Sequence, residues 1–383
     1  MHEEKKPVPA QRIRILHITF NMGIGGTEQV IRQLVDHLPN ETFENRIVCI
    51  DGFVGEIGKA LSRQGVHVEA FSREPGFDRY LIGRIRQLIT SWQPHIVHCH
   101  QYTPYLYGWL AALGKRTRVI FTEHGRFYPD RYRYKAFLVN ALIARFTYSL
   151  VAISKATKEA LVKYECMPRS RIKVIYNGLK GLERDPIATK ALRESLGIPP
   201  NAFVVGTVAR LDTVKNQPMM IKAFKLALDQ LEDGRLLIVG DGPEREYLEG
   251  LAKDLGIDDR VIFTGFITAP QDYLATMDLF LLSSHTEGTS MTLLEAMSLG
   301  IPSVVTDVGG NPEIVVHGKT GIVTTPGDEV AFADAMVTLG QDEEAYRSMA
   351  AESKQLFESR FSVERMVENY GQLYEDARVK LSS

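Results

Sequence analysis

The chain has 383 residues and a formal net charge of −2, from 45 Lys+Arg against 47 Asp+Glu. Hydrophobic residues at 44% and charged residues at 24% describe an ordinary globular protein and exclude disordered, collagen-like and coiled-coil chains. The length exceeds the usual single domain and predicts two.

Short β-rich runs alternate with helical periods from the start. The first half offers RILHITF (14–20), RIVCID (46–51), VHVEAF (66–71), HIVHCH (95–100), RVIFTEH (118–124), SLVAIS (149–154) and IKVIYNG (172–178). Between the first two, Val30, Ile31, Leu34, Val35 and Leu38 share one helix face. After Asn177-Gly178, mixed charge and Pro186 read as a linker. Alternation then restarts with FVVGTVA (203–209), RLLIVG (235–240), VIFTGF (261–266), DLFLLSS (278–284), PSVVTD (302–307) and GIVTT (321–325). A closing helix spans 363–380. Repeated strand–helix–strand units imply parallel sheets covered by helices. Two successive doubly wound domains follow, with ligands beyond the carboxyl ends of the strands and a common cleft between them.

The small net charge conceals an asymmetry. Residues 1–180 carry 27 Lys+Arg and 15 Asp+Glu, a charge of +12, whereas residues 181–383 carry 18 and 32, a charge of −14. A basic half points to an anionic partner; chance surface variation gives the same split. Cys49, Cys99 and Cys166 form neither a disulfide framework nor a zinc spacing, which predicts a reducing cytosol. Residues 1–15 contain acidic residues and no long apolar run, so no signal peptide is read there. The longest apolar stretch, 136–153, is broken by Asn140 and Arg145, short of the roughly 20 apolar residues of a spanning helix. Peripheral contact at the inner membrane face stays compatible.

Five constellations carry candidate chemistry. The turn 21–28 lies between strand and helix, where Gly25 and Gly26 bring backbone amides to an anion. Glu28 stands where a dinucleotide fingerprint needs its third glycine, and a P-loop lysine is absent; a plain turn with Thr27 as N-cap fits as well. Arg210 and Lys215 follow a strand and suit a diphosphate, or form a solvated surface pair. Glu287 precedes a helix start at Thr289 or Ser290, and Glu295 lies one to two turns into that helix. Two such carboxylates can hold the hydroxyls of two sugars, with phosphate between them at the helix N-terminus near Gly288; separately they read as a dipole-favoured charge and an exposed helical Glu. His124 ends a strand and can hydrogen-bond a substrate or move a proton. His98 and His100 share a strand face near His95, but no ligand pattern specifies zinc, and a strand with polar ends is the simpler reading. The run 126–135 interleaves Arg126, Arg131, Arg133 and Lys135 with aromatics, for anionic lipid headgroups or an acceptor sugar, or as a charged loop. Nucleic acid is disfavoured, because no recognised module is present. No Asp-x-Asp pair occurs, which removes the commonest carboxylate cradle for a divalent metal.

Taken together, EGTSMTLLEAMSLGIPSVVTDVGGNPEIVVHGKTGIV resembles the signature of the retaining glycosyltransferases of family 4, which have the GT-B fold. ARLDTVKNQ, GDGPE, the Gly25-Gly26-Thr27-Glu28 turn, PHIVHCH, EHG and YNG match that family in order, over nearly the whole chain. EHGRFYPD further resembles a subgroup associated with bacterial exopolysaccharide synthesis. The resemblance implies an N-terminal Rossmann-like acceptor domain (1–182), a C-terminal Rossmann-like sugar-nucleotide domain (183–360) and a helix (361–383) crossing back. It assigns Glu287 to the donor sugar, Glu295 to the ribose hydroxyls, and Arg210 and Lys215 to the diphosphate. Gly25 and Gly26 approach that diphosphate, His124 lies near the reacting centre, and Gly265 and Phe266 face the base. Gly288, Thr289 and Ser290 complete the donor set.

The expected activity is a retaining, metal-independent, cytoplasmic sugar transfer from a nucleoside-diphosphate sugar to a glycan or lipid-linked acceptor. UDP-sugar is preferred on family frequency, and no cofactor is expected. No residue is required to be a nucleophile, which favours front-face attack with the departing phosphate as base. The alternatives are a GT-B epimerase or phosphorylase, or a non-catalytic sugar-nucleotide-binding subunit. A NAD-dependent enzyme is disfavoured by Glu28.

Overall fold

A run of branched apolar residues that is buried on both faces folds as a parallel strand flanked by helices. Thirteen parallel strands form among the described residues, the central ones buried in this way. The computed structural model describes residues 12–125, 137–231 and 233–382; the Arg/Tyr-rich run at 126–135 lies outside the described residues. Seven strands make the first sheet: β1 (Ile13–Thr19), β2 (Phe43–Cys49), β3 (His67–Ala70), β4 (Ile96–His100), β5 (Arg118–Glu123), β6 (Ser149–Ala152) and β7 (Ile172–Val174). Their order is β3-β2-β1-β4-β5-β6-β7, all parallel. Six make the second: β8 (Val204–Val208), β9 (Arg235–Val239), β10 (Val261–Gly265), β11 (Leu279–Leu282), β12 (Ser303–Thr306) and β13 (Gly321–Thr324). These run in the order β10-β9-β8-β11-β12-β13, again parallel throughout.

The chain divides into two units. One takes residues up to Ile153, Thr157–Ile175 and the stretch from Met366; the other takes Ser154–Ala156 and Tyr176–Arg365. Each expected strand is present; most are trimmed where the chain leaves the sheet to turn, whereas β1 and β2 begin earlier than expected, at Ile13 and Phe43. The segment expected as a linker contains a helix, Pro186–Ser195. Asp185 accepts from the amides of Ile187 and Ala188, and Pro186 at the first helical position presets φ, so local capping starts a helix there. The expected amphipathic face is also present: Val30, Ile31, Leu34 and Val35 of the helix Gly26–His37 are buried. Each such side chain contributes about 1.5–3 kcal/mol relative to exposure. Among the described residues no helix is long and apolar enough to cross a membrane.

In the first unit the neighbouring strands β1, β4 and β5 set polar side chains on one buried face. His17 pairs in register with His98, and His100 with Thr122. The helix Val363–Ser382 covers this face from Met366 onward. Tyr374 OH bonds His98 Nδ1 at 2.8 Å, and Tyr370 OH bonds Thr122 Oγ1 at 3.1 Å. His98 Nε2 completes its pairing with Thr122 Oγ1 at 2.8 Å. Burial, and then the charges of His17 and His124, hold His98 well below its usual range, so it is neutral. Tyr374→Phe strands a fully buried ring nitrogen, and should lower stability by about 1–3 kcal/mol. Urea denaturation that finds parent and variant equal would show that the pairing contributes nothing.

Candidate functional site

In an open parallel sheet, ligands bind beyond the carboxyl edge where the strand order reverses. In the second sheet that point lies between β8 and β11. The loop leaving β8 is held by Asp212, whose carboxylate accepts from the amides of Val214 (3.1 Å) and Lys215 (3.3 Å). Gln217 Nε2 donates to Arg210 O at 3.0 Å. The loop leaving β11 is tied to it: Ser283 Oγ reaches the carbonyls of Lys215 and Asn216, both at 2.9 Å, and His285 N donates to Val214 O at 2.8 Å.

These ties bring two of the expected residues together. Lys215 Nζ lies 2.6 Å from Glu287 Oε1, and Ser284 Oγ donates to the same oxygen at 2.6 Å. The Glu287 side chain is 8% exposed and the Lys215 side chain 24%, so little water competes for the charge-assisted bond. The resemblance assigns these two residues different ligands, yet here each is the other's partner. Arg210 stands apart, 71% exposed, with its Nε 4.0 Å from Asp212 Oδ2.

Behind Glu287 the helix Met291–Ser298 begins with Ser290 as N-cap, its Oγ accepting from Leu293 N at 3.3 Å. Of the two expected starts, Ser290 is the one used. Glu295 sits on this helix among Leu293, Leu294, Ala296 and Met297, all fully buried. Burial pushes its carboxyl from 4.5 up to about 7, a cost of about 3 kcal/mol to the charged form. Burial is the sole cause of that shift: no hydrogen bond or charge among the described residues offsets it. A half-buried acid without a partner can accept a pair of hydroxyl protons from a ligand.

Backbone packing shapes the same edge, and sequence reasoning missed the residues responsible. Gly309 has φ +52, and a Cβ there would lie 1.8 Å from Glu287 O; a Cβ on Gly310 would lie 2.0 Å from Gly288 O. Only glycine lets the turn after β12 support the Glu287–Gly288 backbone so closely. The signal that marks them in the sequence is the Gly309-Gly310 step three residues after β12. At the end of β10, Gly265 has φ +76 and Phe266 is 62% exposed. Thr289 lies in the loop before the cap, half-buried like Gly288.

In the first unit Gly25, not Thr27, is the N-cap of the helix Gly26–His37, and no side chain caps it. Thr27 falls inside the first turn and is buried. Glu28 folds back over the cap: a Cβ on Gly25 would lie 2.4 Å from Glu28 Oε2. Burial pushes the Glu28 carboxyl up. The amides expected to meet an anion therefore already face a carboxyl group. His124, just beyond β5, donates or accepts at Nε2 with His100 Nδ1 at 2.9 Å, and burial pushes it down to about 3.

Residues 24–180 match the family described as Glycosyltransferase Family 4, and residues 188–356 match Glycosyl transferases group 1. Among curated relatives, the N-acetyl-alpha-D-glucosaminyl L-malate synthase of Bacillus anthracis is 30% identical over 308 residues, 79% of this chain and 80% of that one. The UDP-Gal:alpha-D-GlcNAc-diphosphoundecaprenol alpha-1,3-galactosyltransferase of Escherichia coli is 26% identical over 379 residues, 95% and 97% of the two chains. Among solved structures, Anabaena HepE in complex with UDP-glucose superposes with a TM-score of 0.81 at 25% identity, over 95% of this chain and 99% of that one.

Glu295 yields a pH-dependent test. Between pH 4.5 and about 7 the unfolded chain releases this proton while the folded chain keeps it, so stability falls as pH rises through that window. Glu295→Gln cannot ionise and removes that fall. The variant should match the parent near pH 4.5 and exceed it above pH 7 by up to about 3 kcal/mol. Denaturation curves at both pH values that show a constant difference would refute the assignment.

Proposed function

The chain belongs to the family 4 glycosyltransferases and has their GT-B fold; it uses a nucleotide sugar, and we propose that it does so as a retaining, metal-independent transferase of UDP-sugars. The observation that carries the reading is the pairing of Lys215 with Glu287 beside an unpartnered Glu295 at the reversal point of the second sheet.

Each element has a physical role in that reaction. Breaking a glycosyl–phosphate bond builds positive charge on the sugar and negative charge on the diphosphate. Preorganised cations lower that barrier. Arg210 is free to swing onto the diphosphate, and Lys215 exchanges Glu287 for a phosphate oxygen. Glu287, released, accepts from the donor sugar. Glu295 takes the ribose hydroxyls, which favour its charged form and offset its burial. The N-terminus of the helix Met291–Ser298, with Gly288, Thr289 and Ser290, receives phosphate charge. Gly265 and Phe266 line the base. In the first unit, Gly25 and Gly26 offer amides to a phosphate oxygen once Glu28 is neutral or withdrawn, and His124 meets a sugar hydroxyl. The incoming hydroxyl attacks on the face that the phosphate leaves, and the phosphate takes its proton.

UDP as the nucleotide is supported by the UDP-glucose complex of HepE and by the UDP-galactose relative. That relative, named for a diphosphoundecaprenol acceptor, also supports a lipid-linked acceptor in surface-glycan or exopolysaccharide synthesis. A charge of +12 on residues 1–180 suits the anionic face of a membrane, at about 1 kcal/mol per basic residue near the surface. The epimerase and binding-subunit alternatives lose ground to relatives named synthase and transferase.

In a thermal-shift panel, UDP should raise the midpoint more than GDP or ADP, as any ligand of the folded state does by mass action. No shift with any nucleoside diphosphate would sink the reading, and a larger shift with GDP would change the base. Lys215→Ala should lower turnover about 100-fold or more; unchanged turnover would remove Lys215 from the diphosphate. Activity should survive EDTA, and a strict metal requirement would overturn the metal-independent mechanism.

A further inference from the structure

Three histidines in the first unit are not isolated side chains. Asn45 on β2, His17 on β1, His100 on β4 and His124 beyond β5 form one continuous hydrogen-bonded line. Asn45 Oδ1 lies 3.1 Å from His17 Nε2. His17 Nδ1 lies 3.1 Å from His100 Nε2, and His100 Nδ1 lies 2.9 Å from His124 Nε2. The line ends at His124 Nδ1, which is buried and has no hydrogen-bond partner among the described residues.

We propose that this line holds His124 as the Nε2-protonated imidazole, so that its Nδ1 presents a bare lone pair and accepts a hydroxyl proton from the ligand. The direction follows from one end. An amide carbonyl only accepts, so the proton between Asn45 and His17 sits on His17 Nε2. A neutral imidazole carries one N–H. His17 Nδ1 must therefore accept from His100 Nε2, and His100 Nδ1 must accept from His124 Nε2. The reversed order would leave an orphan N–H buried at His124 and none to satisfy Asn45 Oδ1. Neutrality is secured by burial, which pushes His17 down to about 4 and His124 to about 3, and holds His100 well below its usual range together with the neighbouring His98, His124 and His17.

Orienting a histidine usually falls to a carboxylate, which also keeps the ring basic. Here the orienter is a neutral amide three residues removed, and no counter-charge accompanies the ring. His17 and His100 are thus positioning residues. A bare lone pair repels a phosphate oxygen and welcomes an O–H donor, which makes a hydroxyl the chemical class of its ligand. That the hydroxyl belongs to a sugar rests on the glycosyl-transfer reading above; the tautomer does not. The ligand atoms of His17, His98 and His100 also lie within 4.8 Å of one another, a spacing open to a metal ion. Every ring nitrogen of the three already has a hydrogen-bond partner, so a bound ion would have to break the line.

Ring-nitrogen NMR of the full chain labelled with 15N-histidine tests the proposal without any substrate. Signals are assigned through His124→Gln and His100→Gln. At neutral pH, His17, His100 and His124 should each show a protonated Nε2 and an unprotonated Nδ1. His124 found with its proton on Nδ1, or doubly protonated, overturns the proposal. His17→Phe keeps a ring of similar size but removes the acceptor for His100, and should turn the single tautomer at His100 and His124 into a mixture. An unchanged His124 in the folded variant would show that the line does not set it. Should His17→Phe fail to fold, Asn45→Ala at the half-buried end makes the same cut. Inorganic phosphate should leave the His124 signals unmoved, and protonation on its addition would refute the hydroxyl assignment. Signals that move when EDTA strips the protein would reveal an ion in place of the line. Failure of the UDP thermal shift would count against the transferase reading alone.

Discussion

Lys215 and Glu287 neutralise each other across the point where the second sheet reverses direction, with 2.6 Å between Nζ and Oε1. Neither charge is well hydrated there, so each depends on the other, and removing one partner of such a pair costs about 3 kcal/mol or more. The pair also joins the loops leaving β8 and β11. Ser283, Ser284 and His285 reinforce that junction through four further bonds to the same loop or the same carboxylate. The acidic second half of the sequence, with a net charge of −14 over residues 181–383, thereby keeps one cation fixed where an anion is to be received.

Around this pair the structure leaves polar groups deliberately incomplete. Burial raises the cost of a charge on Glu295, which no charge or hydrogen bond among the described residues offsets, and Arg210 extends into solvent. The first arrangement sacrifices stability that a ligand would restore, the usual relation between a binding site and its scaffold. The glycines at 309 and 310 serve the same end through the backbone, since their missing side chains allow a turn to lie directly beneath Glu287 and Gly288.

The first unit solves a different electrostatic problem. Residues 1–180 carry a charge of +12, yet β1, β4 and the end of β5 bury four histidines that are all driven toward the neutral form. Hydrogen bonds to Asn45, Thr122 and Tyr374 and between the rings themselves make this burial tolerable, because a buried polar ring is costly mainly where its nitrogens lack partners. The closing helix is thus held to the sheet by polar contacts as well as by apolar packing.

Much of this was legible in one dimension, because periodicity and capping act over a few residues. The alternation of apolar runs marked all thirteen strands, the spacing of Val30 to Leu38 marked a helix, and Ser290 announced another. Glu28 in place of a glycine already argued against a dinucleotide fingerprint. Pro186 was misleading, since a residue that breaks a helix from within can also begin one. The rest depended on neighbours in space. Only the strand order β10-β9-β8-β11-β12-β13 brings Lys215 to Glu287, 72 residues later, and only the order β2-β1-β4-β5 lines up Asn45, His17, His100 and His124. Likewise the fold-back of Glu28 over Gly25, and the seating of Tyr374 on His98 from 276 residues away, follow from packing that no local pattern records. The sequence by itself determined which segments become strands and helices and which residue types stand at their ends; the tertiary structure decided which of those ends meet, because hydrogen-bond and charge partners are chosen by distance in space and not by distance along the chain.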